Sequence, residues 1–298
     1  MAETVPILPN QQLDVLTRAY ADARSAKRLR MLVGTAVFLC CVSWSVWIAE
    51  VDPAKLWTNV GRLTSYIGRI FALDTGASVL TNVCCSQDSW YWGWEKWLRQ
   101  IGETLIIAYL GTVLGALGAF LLCFPAAGNL VQSRSVLFIT RRFLEFCRTV
   151  PELVFALTFV VAFGLGPLPG VLALAIHTFG ALGKQFAEVV ENIDMKPFEG
   201  VSSTGGTWVE SVRHAVVPQV LSNFASYGLL RFEINVRSAA IMGFVGAGGI
   251  GQDLLEAIRK FYYSDVSAML LLIIVTVIVI DIVTERIRHR LLDREQRP

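Results

Sequence analysis

The apolar residues of this chain come in long blocks that carry no charge. Met31 to Ala49, Thr104 to Ser133 and Leu153 to Gly183 contain no Asp, Glu, Lys or Arg. A transmembrane helix needs about 20 mostly apolar residues, because the hydrocarbon core of a bilayer is about 30 Å thick. Blocks of this length predict an integral membrane protein.

The composition agrees with this class and excludes others. Of the 298 residues, 54% are hydrophobic and 17% are charged, whereas soluble chains are roughly 45–50% apolar and about 25% charged. A disordered chain is therefore excluded. The net charge of +2 gives no basic surplus to neutralise phosphates, so no nucleic-acid partner is expected.

Glycine and proline divide the blocks into six predicted spans. The turn 164–170 contains three glycines and two prolines, residues that end helices, so it predicts a helical hairpin with arms at 150–164 and 168–190. The sequence thus predicts an all-α membrane protein with six transmembrane helices. The other four spans are predicted at 31–49, 104–133, 216–242 and 266–285.

Lysine and arginine predict the orientation, because they favour the cytoplasmic side. With the N-terminus inside, seventeen of the 26 lie in cytoplasmic segments, seven lie outside and two lie within the fifth span. Both termini are therefore predicted to be cytoplasmic. The first span is expected to be retained, since no small-residue cleavage site follows it. The predicted polar segments are a cytoplasmic segment 1–30, an extracytoplasmic loop 50–102 and a cytoplasmic tail 291–298.

The long loop 50–102 is rich in tryptophan, which favours the membrane–water interface. We expect these side chains to anchor the loop there, and Trp90–Trp97 to form an interfacial helix before the second span. Cys84 and Cys85 also lie in this loop, where a disulfide is chemically permitted. The tryptophans are Trp57, Trp90, Trp92, Trp94 and Trp97.

Residues 196–218, between the fourth and fifth spans, predict two short helices on the cytoplasmic surface. Pro197 suits the first turn of a helix, and Gly205-Gly206 allow the left-handed conformation that ends one. Thr207 and Glu210 then have the S/T-x-x-E spacing of a capping box, which starts a second helix. Such an element is either a passive connector or a surface that docks onto a partner.

Three charges fall within the fifth span, where each costs an estimated 2.5–3.5 kcal/mol on insertion scales. Glu233 and Arg237 are four residues apart and can pair along one helix face. Arg231 points to another side and needs a different partner, for which Glu152 and the Arg148–Glu152 pair are candidates. The charges form either an ion-pair network that fixes helix packing or a positive lining for an anion path, since Arg suits phosphoryl groups.

His177 lies in the middle of the fourth span. Its imidazole is either a satisfied packing residue or a contact for substrate. Both interpretations stay open at the level of sequence.

A glycine-rich segment before the last span satisfies the G-x-G-x-x-G pattern of dinucleotide sites. Such a site needs a preceding strand and a βαβ unit, whereas a membrane helix precedes this segment. We therefore expect its glycines to permit close helix packing or flexibility at an outer gate. They are Gly246, Gly248, Gly249 and Gly251.

No motif in the sequence supports catalysis by this chain. A Walker A pattern is absent, because Gly183-Lys184 is followed by Gln185 instead of Ser or Thr. Neither H-E-x-x-H nor G-x-S-x-G occurs. Work driven by ATP would have to be powered by a separate subunit.

The spacing of Glu199, Gly205 and Pro218 resembles the E-A-A-x3-G-x9-I-x-L-P loop of binding-protein-dependent ABC importer permeases. In that family the loop docks into a cleft of the ATPase subunit. The resemblance implies a type I permease core at 103–290 that follows an added first span. It also implies an ATPase-coupling role for Glu199, Gly205, Gly206 and Pro218. The chain departs from the pattern at Gly200, Val201, Ala215 and Val217.

Other stretches resemble phosphonate ABC transporter permeases over about two-thirds of the chain. The most specific is Arg231-Phe-Glu233-Ile-Asn235-Val-Arg237-Ser, which suggests a translocation path along Glu152, His177, Arg231, Glu233, Asn235 and Arg237. Further matching stretches are Arg141-Arg142, Phe155-Ala156, Phe163-Gly-Leu-Gly-Pro167, Ile176-His177-Thr178 and Gly243-Phe-Val-Gly246 to Gly251.

This resemblance implies a permease subunit in the cell membrane that imports phosphonate, phosphate or phosphite. It implies an extracytoplasmic substrate-binding protein and two ATP-binding subunits, which would hold ATP and Mg while this chain binds no cofactor. Because one chain supplies half of a path, a second copy is expected to close the channel around a two-fold axis. Membrane lipid surrounds such an assembly.

Three alternatives stay open at this point. The nearest is a type I permease for another small solute such as an amino acid. A membrane-embedded enzyme would use Glu152, His177 or Glu233 as acid–base groups. An ion channel is the third, although nothing in the sequence resembles a selectivity filter.

Overall fold

A computed structural model describes residues 10–50, 52–72, 79, 83 and 89–295, so Cys84 and Cys85 lie outside the described residues. The described part is built from α-helices, which confirms the predicted all-α class. The chain divides into two compact units, 1–65 and 66–298. The helices are α1 (Asn10–Ile48), α2 (Pro53–Ile70), α3 (Trp94–Ala126), α4 (Arg134–Thr149), α5 (Glu152–Phe163), α6 (Pro167–Glu191), α7 (Lys196–Ser203), α8 (Trp208–Ser211), α9 (Val217–Met242), α10 (Ile250–Arg259) and α11 (Tyr263–Glu295).

The first unit holds α1 and most of α2. Helix α1 already begins at Asn10, within the segment predicted as a polar N-terminus, and its stretch Ala26–Ile48 is apolar enough to cross a membrane. Asp52 caps α2, because its carboxylate accepts hydrogen bonds from the backbone N–H of Ala54 at 3.0 Å and of Lys55 at 3.3 Å. The sequence therefore starts α2 with a local polar signal.

The second unit is organised by the close pairing of α3 and α6. Gly111, Gly115 and Gly118 lie on one face of α3, at spacings of four and three residues. A Cβ atom at Gly115 would lie 2.7 Å from the Cβ atom of Thr178 and 2.8 Å from the Ala175 carbonyl oxygen. The absence of side chains on this face is what lets the two backbones approach.

Helices α4 and α5 form a bent pair with an angle of 81° at Val150-Pro151. Proline cannot continue a helix, because it lacks the N–H and its ring clashes with the preceding turn. Helix α5 has 12 residues, which is about 18 Å at 1.5 Å per residue. The third predicted span, 150–164, is therefore too short to cross alone, and in the structure it forms a bent pair with α4.

Within the described residues, three helices are long and apolar enough to cross a membrane, or four if the bent pair makes one span. Helices α6 and α9 have 25 and 26 residues, which is about 37–39 Å each, but their charged and small residues lower their hydropathy. The count of six spans stays a prediction. Helix α3 ends at Ala126 instead of Ser133, and α11 continues through the predicted tail to Glu295.

The tryptophan-rich segment differs from the predicted interfacial helix. Residues 90–93 form turns, and the helix begins only at Trp94. Trp90 and Trp97 are 7% and 3% exposed, and the Trp90 Nε1 donates a hydrogen bond to the Ser267 hydroxyl at 2.8 Å. The rings of Trp90 and Trp97 thus pack beside α11. Trp57, Trp92 and Trp94 are exposed, and the anchoring of the loop at the interface stays a prediction.

Candidate functional site

The segment 196–218 folds as two short helices around a glycine turn, as predicted. Helix α7 has a proline in its first turn, and the chain leaves it through Gly205 with φ of +86°. This conformation is strained for any residue with a Cβ atom. Thr207 and Glu210 form both hydrogen bonds of a capping box at the start of α8. The hydrogen bonds from the Thr207 backbone N–H and hydroxyl lower the pKa of Glu210, so this cap is intact at neutral pH.

Pro218 lies in the first turn of α9. The turn before it, Val212–Val216, is a π-helix, which is a single wide turn of the kind often found at functional positions. Helical backbone therefore runs from α8 through this wide turn into α9.

Polar side chains fasten this two-helix element to the bundle. The Gln219 carboxamide of α9 accepts a hydrogen bond from the Asp194 backbone N–H and donates one to the Asp194 carbonyl, both at 3.2 Å. The Trp208 Nε1 donates to the Leu130 carbonyl, after α3, at 3.0 Å. In contrast, α7 has no buried residue and Glu199 is exposed. We name residues 196–211 the surface element; it is fixed at its base and free on its outer face.

Glu152, His177 and Arg231 come together at the break between α4 and α5. The Glu152 Oε1 accepts a hydrogen bond from the Ser238 hydroxyl at 2.9 Å, and its Oε2 lies 3.7 Å from the His177 Nε2. Arg231 interacts electrostatically with both groups. We call these three residues and Ser238 the break cluster.

The predicted pair of Arg148 with Glu152 does not form among the described ion pairs. The two residues are four apart in sequence, but they lie on different helices across the 81° bend. The i,i+4 rule applies only within a continuous helix. Glu152 is held by Ser238 of α9 instead, which sequence reasoning missed although Ser238 lies seven residues after Arg231 on the same helix face.

Glu233 and Arg237 form the predicted ion pair on another face of α9. Arg237 also lies 3.6 Å from the Asp281 carboxylate of α11. These three charges join α9 to α11 and are separate from the break cluster. Their contacts fit the packing interpretation of the intramembrane charges.

Asn235 lies in the packed core, not beside either charged group. It is fully buried, and its amide nitrogen donates hydrogen bonds of 2.8 Å to the hydroxyls of Thr112 and Thr178. The three residues come from α9, α3 and α6. No local sequence pattern indicates this junction, because a threonine within an apolar helix looks like any small residue.

The glycine-rich segment packs tightly against three other parts of the second unit. Gly248 and Gly249 both have positive φ, and a Cβ atom at Gly248 would lie 3.1 Å from the Pro167 backbone. A Cβ atom at Gly251 would collide with the Ala240 carbonyl oxygen. The Gly246 carbonyl also accepts a hydrogen bond from the Gly166 N–H at 3.0 Å. A helix precedes the segment, so the dinucleotide pattern lacks the strand that such a site requires.

Comparison with known proteins agrees with these features. The model of the family described as binding-protein-dependent transport system inner membrane component matches residues 111–297. The phosphite transport system permease protein PtxC of Stutzerimonas stutzeri is 39% identical over 93% of this chain and 94% of its own length. The phosphate-import permease protein PhnE of Mycolicibacterium smegmatis is 42% identical over 64% of this chain and 36% of its own length.

Solved structures give the same fold. A chain of the MetNI methionine ABC transporter in an inward-facing conformation aligns with a TM-score of 0.56 at 18% identity, over 65% of this chain and 95% of that one. At this identity the likeness concerns the fold alone. The relatives are permease subunits and not enzymes. Together with the family match, they show that this chain belongs to the binding-protein-dependent inner membrane transport components, among the permeases of phosphite and phosphonate type.

Proposed function

We propose that this chain is the membrane-spanning permease of an ATP-driven importer for phosphonate or a related phosphorus oxyanion, such as phosphate or phosphite. The observation that carries the substrate class is the 39% identity, over 93% of the chain, to a permease named for phosphite transport. Arg231 supports it from the residues, because a guanidinium matches phosphoryl oxygens bidentately. The translocation path runs beside α9 at Arg231, Glu152 and His177.

The surface element couples this path to a partner ATPase. Its outer face is exposed, while Gln219 and Trp208 fasten its base to α9 and to the end of α3. Because these contacts fix the base of the surface element, a movement of α7 is transmitted to α9 and to the end of α3. Glu199, Gly205, Gly206 and Pro218 shape the element, and ATP and Mg are held by the partner.

The working assembly contains two permease chains, two ATP-binding subunits and an extracytoplasmic binding protein, within membrane lipid. The second permease is another copy of this chain, since pairing around a two-fold axis closes a channel of which one chain lines half. Both termini are cytoplasmic, as the Lys and Arg distribution supports.

The substrate class is tested by uptake into cells that express this chain with its ATPase and binding protein and lack other phosphorus importers. Radiolabelled phosphate, phosphite and methylphosphonate are compared with glycine betaine and methionine. We expect ATP-dependent uptake of at least one phosphorus oxyanion and neither comparator. Uptake of a comparator alone would overturn the proposal.

The coupling role predicts that Glu199→Lys or Gly205→Val abolishes uptake while the protein still inserts. The first reverses a charge on the exposed face of α7, and the second places a β-branched residue at φ of +86°. Gly200→Ala is the matched control, because Gly200 is helical and a Cβ atom there meets nothing within 4 Å. Membrane content and copurified ATPase are measured beside uptake, and normal uptake in both variants would refute the coupling role.

A further inference from the structure

The break between α4 and α5 lies beside the middle of α6. His177, which contacts the break, is ten residues after the first residue of α6 and fourteen before the last, or about 15 and 21 Å along the helix. Non-helical backbone at membrane depth persists only where protein or a water-filled cavity surrounds it. If α6 crosses the membrane, the break cluster is near the bilayer centre.

His177 is oriented by the break itself. Its Nδ1 lies 3.2 Å from the Val150 carbonyl oxygen, and a carbonyl oxygen only accepts hydrogen bonds. The hydrogen is therefore on Nδ1, and Nε2 faces the Glu152 carboxylate at 3.7 Å. The Ser238 hydroxyl donates to the Glu152 carboxylate and holds it in place.

Arg231 is less fully paired than the other arginine in its helix. Arg237 has a direct ion pair with Glu233 and a second carboxylate 3.6 Å away. Within the described residues, Arg231 has no ion pair inside 4 Å, and its buried Nε has no hydrogen-bond partner. Glu152 compensates the positive charge of Arg231 only through a longer-range electrostatic interaction. Arg231 thus has a buried donor without a partner and a guanidinium that no carboxylate of the described residues neutralises by direct contact.

Resting on the proposed function, we propose that Arg231 binds the oxyanion during translocation and that Glu152 is the fixed negative charge that keeps this binding weak. A transport site must attract its substrate without trapping it. An arginine alone at membrane depth would hold a phosphoryl group tightly, because Coulomb energy rises as the dielectric constant falls. The carboxylate held by Ser238 repels the oxyanion and so speeds its release. Glu152 is a positioning residue in this scheme.

The test measures equilibrium binding of [32P]phosphate to the purified permease–ATPase complex in nanodiscs, without binding protein. Phosphite and methylphosphonate are added as competitors. We expect Glu152→Gln to bind phosphate at least tenfold more tightly than the unmodified complex, and Glu152→Gln with Arg231→Gln to lose that gain. Glu233→Gln is the matched control. It removes another glutamate of α9 that lies beside an arginine, but Arg237 keeps the Asp281 carboxylate nearby.

An unchanged phosphate affinity in Glu152→Gln would overturn the proposal. So would a gain in affinity that persists when Arg231→Gln is added, or an equal gain in Glu233→Gln. If Glu152→Gln does not assemble, the Arg231→Gln variant alone tests whether Arg231 binds the oxyanion. It should lose phosphate uptake and keep the ATP hydrolysis that liganded binding protein stimulates, whereas a folding defect lowers both. Wild-type uptake separates the two proposals: if no phosphorus oxyanion is imported, the proposed function fails, and if import occurs without the Glu152 effect, only this inference fails.

Discussion

At the scale of single residues, Asn235 joins three helices through one amide. Its nitrogen donates to hydroxyls on α3 and α6 from a position with no exposure. Interhelical hydrogen bonds in membranes contribute about 0.6–2 kcal/mol each. Such a residue holds the bundle together whether or not substrate passes nearby.

We expect Asn235→Leu to lower the stability of the purified protein by about 1–2 kcal/mol, because two interhelical hydrogen bonds are lost while the volume is nearly kept. The thermal unfolding midpoint in detergent measures this. Uptake per folded molecule should stay near the unmodified level. If uptake disappears while the unfolding midpoint is unchanged, Asn235 belongs to the translocation path, as the sequence resemblance first suggested.

The charged residues show how far sequence reasoning reaches at this scale. Glu233 and Arg237 pair as predicted, because their partners are fixed by helix periodicity alone. The partners of Glu152 are Ser238 and His177, 86 and 25 residues away. Only the tertiary packing of α5, α6 and α9 brings them together, and no local pattern records it.

At the scale of elements, local signals place the helix ends of the surface element. The first-turn proline, the glycine at positive φ and the capping box of the surface element were all readable, since each acts within four residues. The bend at Val150-Pro151 has a readable proline, but its 81° angle depends on how α4 packs against Gly180 and Gly183 of α6. The angle between α4 and α5 was therefore not predictable from the sequence.

The α3–α6 contact predicts opposite effects for two glycine substitutions in one helix. Gly115→Ala should destabilise the protein by about 1–3 kcal/mol, because its Cβ atom would meet α6 backbone and Thr178 at under 3 Å. Gly102→Ala should be neutral or stabilising by up to about 1 kcal/mol, since nothing lies within 4 Å and alanine favours helix. Thermal unfolding of both variants checks this, and equal shifts would mean that α3 and α6 are not closely packed.

At the scale of the whole molecule, the proposed function requires that successive segments of the chain lie alternately on the two sides of the membrane. In the proposed function, the surface element faces the ATPase and the glycine-rich segment lies across the membrane from it. Only α9 separates the two along the chain, and its hydropathy alone does not mark it as a span. Charge distribution predicts the crossing, because the segments on either side of α9 fall on opposite sides by the positive-inside rule.

Single cysteines at three exposed positions test this alternation in a background from which the six native cysteines have been removed. Ser203→Cys in α7 and Arg290→Cys near the end of α11 should react with a membrane-impermeant maleimide only after the cells are permeabilised. Lys260→Cys, between α10 and α11, should react in intact cells, because α9 carries the chain outward and α11 carries it back. Labelling of Ser203→Cys and Lys260→Cys from the same side would mean that α9 does not cross. In that case Arg231 could not lie on a transmembrane path, and the packing interpretation of all the α9 charges would follow.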